Sequence, residues 1–468
     1  MTSNSKPGLG RLLRVWTPED KAFWATEGRA IANQNLWISI PALFLAFAVW
    51  MVWSAMVTQL PAAGFSYTTD ELFWLAALPA LSGATLRIFY SFMVPIVGGR
   101  RWTVLSTLSL LIPCVGIGMA VQSTETPYWA MLVLAALCGL GGGNFSSSMS
   151  NISFFFPKER KGSALGLNAG LGNLGVSSVQ FMVPLVISVG IFGWFGGEPQ
   201  TLQLANGATR QVWLQNAAYV WIVPIVLASL LAALMMNDIA DAKASFSDQA
   251  VIFKNKHNWL MCWLYLGTFG SFIGFSAGFP LLIKSQFPSV YALGFAWMGP
   301  FLGAIARPFG GWLADKVGGA RVTLWNFVAM IAGVVGVMQF LPQGGTGGNL
   351  TGFFVCFMVL FVASGIGNGS TFSMIPVIFT DEALDAVGRD PDALAAATRE
   401  GNQQSAAVLG FTAALGAYGG FFIPKSYGTS IAMTGSPHAA LAAFIVFYVT
   451  CIAVTWWFYA RRNAMRPC

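Results

Sequence analysis

Stretches of about 20 apolar residues recur along the whole chain, and no other feature constrains the fold as strongly. Hydrocarbon offers a peptide group no hydrogen bonds, so such a chain crosses a membrane as helices that satisfy their own backbone. Uninterrupted apolarity marks twelve spans, near 36–60, 71–97, 102–121, 128–156, 162–194, 212–236, 259–284, 291–314, 321–341, 350–379, 402–424 and 437–460. At about 1.5 Å per residue, each can cross about 30 Å of hydrocarbon. Only 9% of the residues are charged and 56% are hydrophobic, too little polar surface for a water-soluble core of this size. The expected class is an all-α integral membrane protein.

The 25 Lys and Arg are unevenly placed: 20 fall in the N-terminal segment, the loops after even-numbered spans or the C-terminus, three on the other side, and two inside spans. The positive-inside rule then puts both termini in the cytoplasm. Topology thus accounts for the net charge of +7 without a nucleic-acid partner. Residues 1–35 lack the short apolar run and small-residue cleavage site of a signal peptide. Within them "TPED", 17–20, offers Thr17 as an N-cap and Pro18 at the first helical position, which predicts a short helix on the membrane surface. The longest polar connection, 237–258, divides a first bundle, 36–236, from a second, 259–460, with a tail over 461–468. The six cysteines are scattered without a C-x-x-C pair and read as small packing residues. His257 and His438, the only histidines, sit at span edges, which leaves no haem pair, zinc motif or Ser-His-acid set. Neither enzymatic activity nor a metal or other cofactor is expected.

The halves echo each other. "GATLRIF" (83–89) and "GAIARPF" (303–309) share Gly-Ala-x-x-Arg-x-Phe and place Arg87 and Arg307 in the middle of spans 2 and 8, 220 residues apart. "LGLNAGLGNLG" (165–175) aligns without gaps on "LGFTAALGAYG" (409–419), and "GLGGG" (139–143) on "GIGNG" (365–369). Spans 2, 4 and 5 therefore pair with 8, 10 and 11, a six-span repeat of the kind found in carriers whose halves rock about a central site.

The segment "GGWLADKVGGARV", 310–322, resembles the loop motif of the major facilitator superfamily, with Gly311, Asp315, Gly318 and Arg321 in the expected places. The matching loop after span 2, "VPIVGGRRW", keeps only the Gly-Gly-Arg-Arg end. Glycine-rich spans 5 and 11, the paired arginines and the chain length resemble the nitrate/nitrite porter family of that superfamily. The resemblance implies twelve helices in two pseudo-symmetric six-helix bundles, alternating access, and a bacterial cytoplasmic (inner) membrane. It also implies that Arg87 and Arg307 bind nitrate or nitrite directly, with Asn173, Tyr265, Phe145 and Phe269 as neighbours.

Residue chemistry can be followed separately from that resemblance. An Arg at mid-membrane costs about 2.5–3.5 kcal/mol on insertion scales and cannot shed its proton. No acid stands in mid-span: Glu71 opens span 2, while Asp70, Glu125, Asp238, Asp315, Asp381 and Glu382 lie at ends or in loops. One reading is that the arginines bond helix carbonyls; the other is that the missing negative charge is the substrate, an anion held by one guanidinium from each half. Asn144, Asn168, Phe89, Tyr90 and Phe309 join the candidates for the surrounding wall. Aromatic faces with amide and hydroxyl donors suit a small, planar, weakly hydrated oxyanion.

Glycines have a mechanical reading. Gly162, Gly166 and Gly170 repeat every four residues, followed by Gly172 and Gly175, and Gly410, Gly416, Gly419 and Gly420 lie in the matching span. Small residues let helix backbones approach closely and slide, which predicts a seam between moving halves. No carboxylate or histidine sits at mid-span to carry a proton, so the expected mode is anion-for-anion exchange by a monomer in the lipid bilayer, nitrate against nitrite being the case the resemblance implies. Proton symport within the same family and exchange of another small anion are the alternatives.

Overall fold

The computed structural model describes residues 12–203, 207–240, 251–342, 347–387 and 391–468. Lys6 and Arg11 of the N-terminal segment and 241–250 of the expected linker lie outside them. Eleven helices among the described residues are long and apolar enough to cross a membrane. They are α1 (Lys21–Trp50), α2 (Thr69–Tyr90), α3 (Gly99–Ala120), α4 (Tyr128–Phe155), α5 (Lys158–Val186), α6 (Asn216–Met235), α7 (Lys256–Gln286), α9 (Gly319–Phe340), α10 (Leu350–Asp385), α11 (Gln404–Thr434) and α12 (His438–Ala460). The remaining expected span is α8 (Met298–Val317), 20 residues long and carrying Arg307, Asp315 and Lys316.

The start of α1 differs from expectation. Asp20, not Thr17, is the N-cap: its carboxylate accepts from the backbone N–H groups of Ala22 and Phe23. A carboxylate at the positive end of a helix is the stronger cap, and the helix then runs from Lys21 into the first span instead of forming a separate surface piece. Leu12–Leu13 (β1) pairs in parallel with Asp238–Ile239 (β4), tying the N-terminal segment to the end of α6. Between α5 and α6, Gln200–Gln203 (β2) and Thr209–Val212 (β3) form an antiparallel hairpin.

Packing repeats with the sequence. In the first half α1 lies against α5, α2 against α4 and α3 against α6; in the second, α7 lies against α11, α8 against α10 and α9 against α12. The halves meet where α2 packs on α11 and α5 on α8, again a symmetric pair. Helix α7 is 94% buried over its apolar window, whereas α6 and α12 present most of theirs outward. Outward-facing Trp129, Leu230, Trp325 and Val446 form the apolar exterior that a bilayer requires.

Glycines set the closest approaches, and they do so twice. A side chain on Gly139 would strike the Gly83 backbone, and one on Gly365 the Gly303 backbone, so α2–α4 and α8–α10 touch at corresponding places. Gly98 ends the short helix Met93–Val97 that follows α2 with φ +97°, and Gly318 ends α8 with φ +96°, a conformation L side chains rarely adopt. The loop motif thus keeps its turn in both halves. The first half lacks the motif's acid, and Asp238 supplies one from the end of α6: it accepts from the Arg100 backbone at 2.8 Å and pairs with the Arg100 guanidinium at 3.2 Å. Gly311 packs loosely against α10, while Asp315 and Arg321 are exposed and unpaired among the described residues.

Candidate functional site

Arg87 is held from three sides. A capping box, Thr68 with Glu71, starts α2, and the helix continues past Pro79 to Tyr90. The Trp50 indole N–H donates to the Pro79 carbonyl at 2.7 Å, which fixes the indole 5.0 Å from the Arg87 guanidinium. Arg87 is fully buried; its Nε donates to the Gly142 carbonyl at 2.9 Å and one terminal nitrogen to the Ala413 carbonyl at 2.8 Å. The other terminal nitrogen, Nη2, has no partner. Because Ala413 belongs to α11, this arginine already bridges the two halves.

Arg307 is held more loosely. One terminal nitrogen lies 3.5 Å from the Tyr265 hydroxyl, at the limit of a hydrogen bond, while Nη1 is buried without a partner. Its guanidinium carbon sits 5.3 Å from the Phe372 ring centre. Neither arginine has a carboxylate partner among the described residues. The Tyr265 side chain interacts electrostatically with both guanidinium groups, and they with each other. Two like charges thus share one buried, low-dielectric region.

An aromatic stack runs through the same region. Phe145 of α4 and Phe269 of α7 stack across the halves, centroids 6.5 Å apart and planes at 26°, and Phe269 stacks on Tyr265 at 5.3 Å. The Arg87 guanidinium lies 4.7 Å from Phe145 and 5.3 Å from Phe269. A π-helical turn over Leu266–Gly270 wraps around Phe269 and begins directly after Tyr265. Such a turn inserts extra backbone into the helix and re-aims the side chains on it.

Arg87, Phe145, Phe269, Tyr265 and Arg307 therefore form one continuous set of contacts. Asn173, buried on α5, hydrogen-bonds to none of them, and neither atom of its amide has a partner. Seven residues further along the same face, Gln180 donates to the Ser276 carbonyl of α7 at 2.7 Å, so this face of α5 looks toward the second half. Asn144 and Asn168 are used within the first half, donating to the Ser106 carbonyl and the Ser148 hydroxyl. Phe89 and Phe309 are more than half exposed and point away from the site, two helical positions beyond each arginine and so on the opposite face. Tyr90 is buried against Trp102.

Trp50, Phe372 and the two carbonyls are participants that residue reading passed over. The repeat could have flagged Phe372, because aligning "GLGGG" on "GIGNG" places it one residue past the counterpart of Phe145. Nothing in the sequence marks Trp50 among 18 tryptophans, and a backbone carbonyl carries no sequence signal.

The glycines divide into two groups. Gly172 and Gly175 pack tightly on Leu43 and Phe44 of α1, Gly416 on Tyr265 and Phe269, and Gly419 on the Gly270 backbone. Gly420 faces Ala80 of α2 across the halves. Gly162, Gly166, Gly170 and Gly410 have no atom within 4 Å of where a side chain would begin. In this conformation they bring no helices together; they line open space toward the end of the bundle that carries the termini. At the far end the halves are joined by Lys425–Asp70 at 2.6 Å, Gln180–Ser276 and Gly420 against Ala80. One end is closed and the other open, as a carrier caught on one side of its cycle would be.

A profile described as "Major Facilitator Superfamily" matches residues 38–424. The chain is 52% identical to the nitrate/nitrite transporter NarU of Escherichia coli (strain K12) over 97% of both chains. The chain belongs to the nitrate/nitrite porter family of the major facilitator superfamily. A second relative in this family, a probable nitrate/nitrite antiporter NarK2 of Thermus thermophilus, is 40% identical over 99% of this chain and 100% of its own. The superfamily fold recurs in the solved structure of a bacterial homologue of the human lysosomal transporter Spinster, at a TM-score of 0.60 with 14% identity, covering 89% of this chain and 95% of that one.

Proposed function

We propose that this protein exchanges nitrate and nitrite across the bacterial inner membrane by alternating access, with both termini cytoplasmic and one anion bound between Arg87 and Arg307. The observation that carries this reading is the pair of buried, partnerless guanidinium nitrogens, Arg87 Nη2 and Arg307 Nη1, with no carboxylate paired to either arginine among the described residues. A buried polar group without a partner costs about 1–3 kcal/mol and a charged one more, so such donors are kept where a ligand completes them. An anion that accepts from both would supply the absent charge and tie one half to the other. Phe145 and Phe269 close over a flat, weakly hydrated ion, and the Tyr265 hydroxyl adds an orienting donor. Arg87 also serves partly as packing, since two of its nitrogens bond helix carbonyls.

Exchange follows from the charge balance. Closing the open end around two unanswered cations brings like charges together in a low dielectric, while a bound monovalent anion offsets much of that cost. The loaded carrier therefore reorients far more readily than the empty one. With purified protein in liposomes, nitrate uptake is expected to be strong against trapped nitrite or nitrate and small against an impermeant anion, without a pH gradient. Robust net uptake into anion-empty vesicles driven by a proton gradient would sink exchange and leave symport.

A further inference from the structure

Three basic residues sit on the face opposite the termini: Arg210, Lys284 and Lys425. Positive charge on this face works against the proposed topology, so each invites a reason for being there. Lys425 has one, its ion pair with Asp70. Arg210 and Lys284 form no ion pair among the described residues, yet both line one cavity of about 150 Å³. Arg210 comes from β3 of the first half's hairpin, and Lys284 from the last turn of α7 in the second half.

We propose that this cavity is a second anion site, at the outer mouth of the transporter, taking one small monovalent oxyanion such as nitrate. Its walls supply donors as well as charge, from Gln59, Gln203 and Tyr291, while the Thr58 hydroxyl is spent on the Ala55 carbonyl, and no acidic residue lines it among the described residues. The Lys284 ammonium donates to the Pro288 carbonyl at 2.9 Å, which anchors it while leaving two hydrogens for a ligand. Tyr291 lies within electrostatic range of Arg210, so both sides of the cavity feel the cation. At about 30 Å³ per water, the space holds roughly five waters, enough for a small ion and part of its hydration.

Position adds a consequence. Thr58, Gln59, Gln203 and Arg210 belong to the first half, Lys284 and Tyr291 to the second, so the cavity has this shape only while the outer end is closed. An anion here holds two like charges together across the seam and favours the conformation that opens to the other side. External nitrate would then bias the carrier as well as feed it. This rests on the anion-exchange reading but not on the central arginines.

The test counts labelled nitrate bound to the full-length protein in nanodiscs, at low salt to limit screening. It compares the unmodified protein, Arg87→Ala/Arg307→Ala and Arg210→Gln/Lys284→Gln, with thermal melting as the folding control. The expectation is two binding events of unequal affinity, the weaker one reduced at least tenfold by Arg210→Gln/Lys284→Gln and retained by Arg87→Ala/Arg307→Ala. A single event in the unmodified protein, or a weak event indifferent to Arg210 and Lys284, overturns the outer site. A tight event that survives Arg87→Ala/Arg307→Ala overturns the central reading instead and leaves the outer site standing.

Discussion

Replacing Arg87 by Lys keeps the charge and removes the geometry. The guanidinium engages three directions at once: Nε on the Gly142 carbonyl, one terminal nitrogen on the Ala413 carbonyl, and Nη2 free for a ligand. A lysine has one nitrogen, and full burial leaves no water to fill the places vacated. If the ammonium stays with one carbonyl, the anion loses a charge-assisted hydrogen bond; if it turns to the anion, at least one buried carbonyl interaction is lost. Hydrogen bonds to charged groups contribute about 1.5–3 kcal/mol, so nitrate affinity is expected to fall roughly 10- to 150-fold. Arg307→Lys is expected to behave similarly in affinity while disturbing the fold less, because Arg307 makes only one long bond to protein. The assay is nitrate binding to purified protein together with counterflow in liposomes, at matched amounts and with melting recorded. Binding and exchange within threefold of the unmodified protein in either variant would refute the claim that its guanidinium holds the anion.

Three further perturbations test the moving parts and the packing between them. Gly166→Leu and Gly410→Leu add volume where this conformation is open, so folding and anion binding are expected to survive while exchange slows more than tenfold as the open end fails to close; equal loss of binding and exchange would make these glycines structural. Gly142→Ala meets the Gly83 Cα at 2.8 Å and is expected instead to lower stability by about 1–3 kcal/mol, measured as a reduced melting temperature. Asp70→Asn removes a partly buried ion pair worth up to about 1 kcal/mol, so labelling of a cysteine introduced at Ala80 is expected to quicken about two- to fivefold, and an unchanged rate would show that the pair does not help close the end opposite the termini.

Membrane class, the succession of spans, the six-span repeat and the two mid-span arginines can all be read from the residue string. Each is a property of single residues or their spacing: apolar length is a transfer cost summed along the chain, and a mid-span Arg without an acid is a charge that must be answered. Helical spacing also held more than was taken from it, since Phe89 and Phe309, two positions past each arginine, had to face away. Contacts between helices are another matter. That Arg87 spends two nitrogens on the carbonyls of Gly142 and Ala413, that Trp50 and Phe372 flank the guanidinium groups, and that a π-turn aims Phe269 depend on how each helix is rotated and shifted against its neighbours. The glycines show the division most directly. Their recurrence is written in spans 5 and 11, but whether Gly166 touches a helix or lines open space depends on which end of the bundle is closed, a property of the packed halves and not of any stretch of chain.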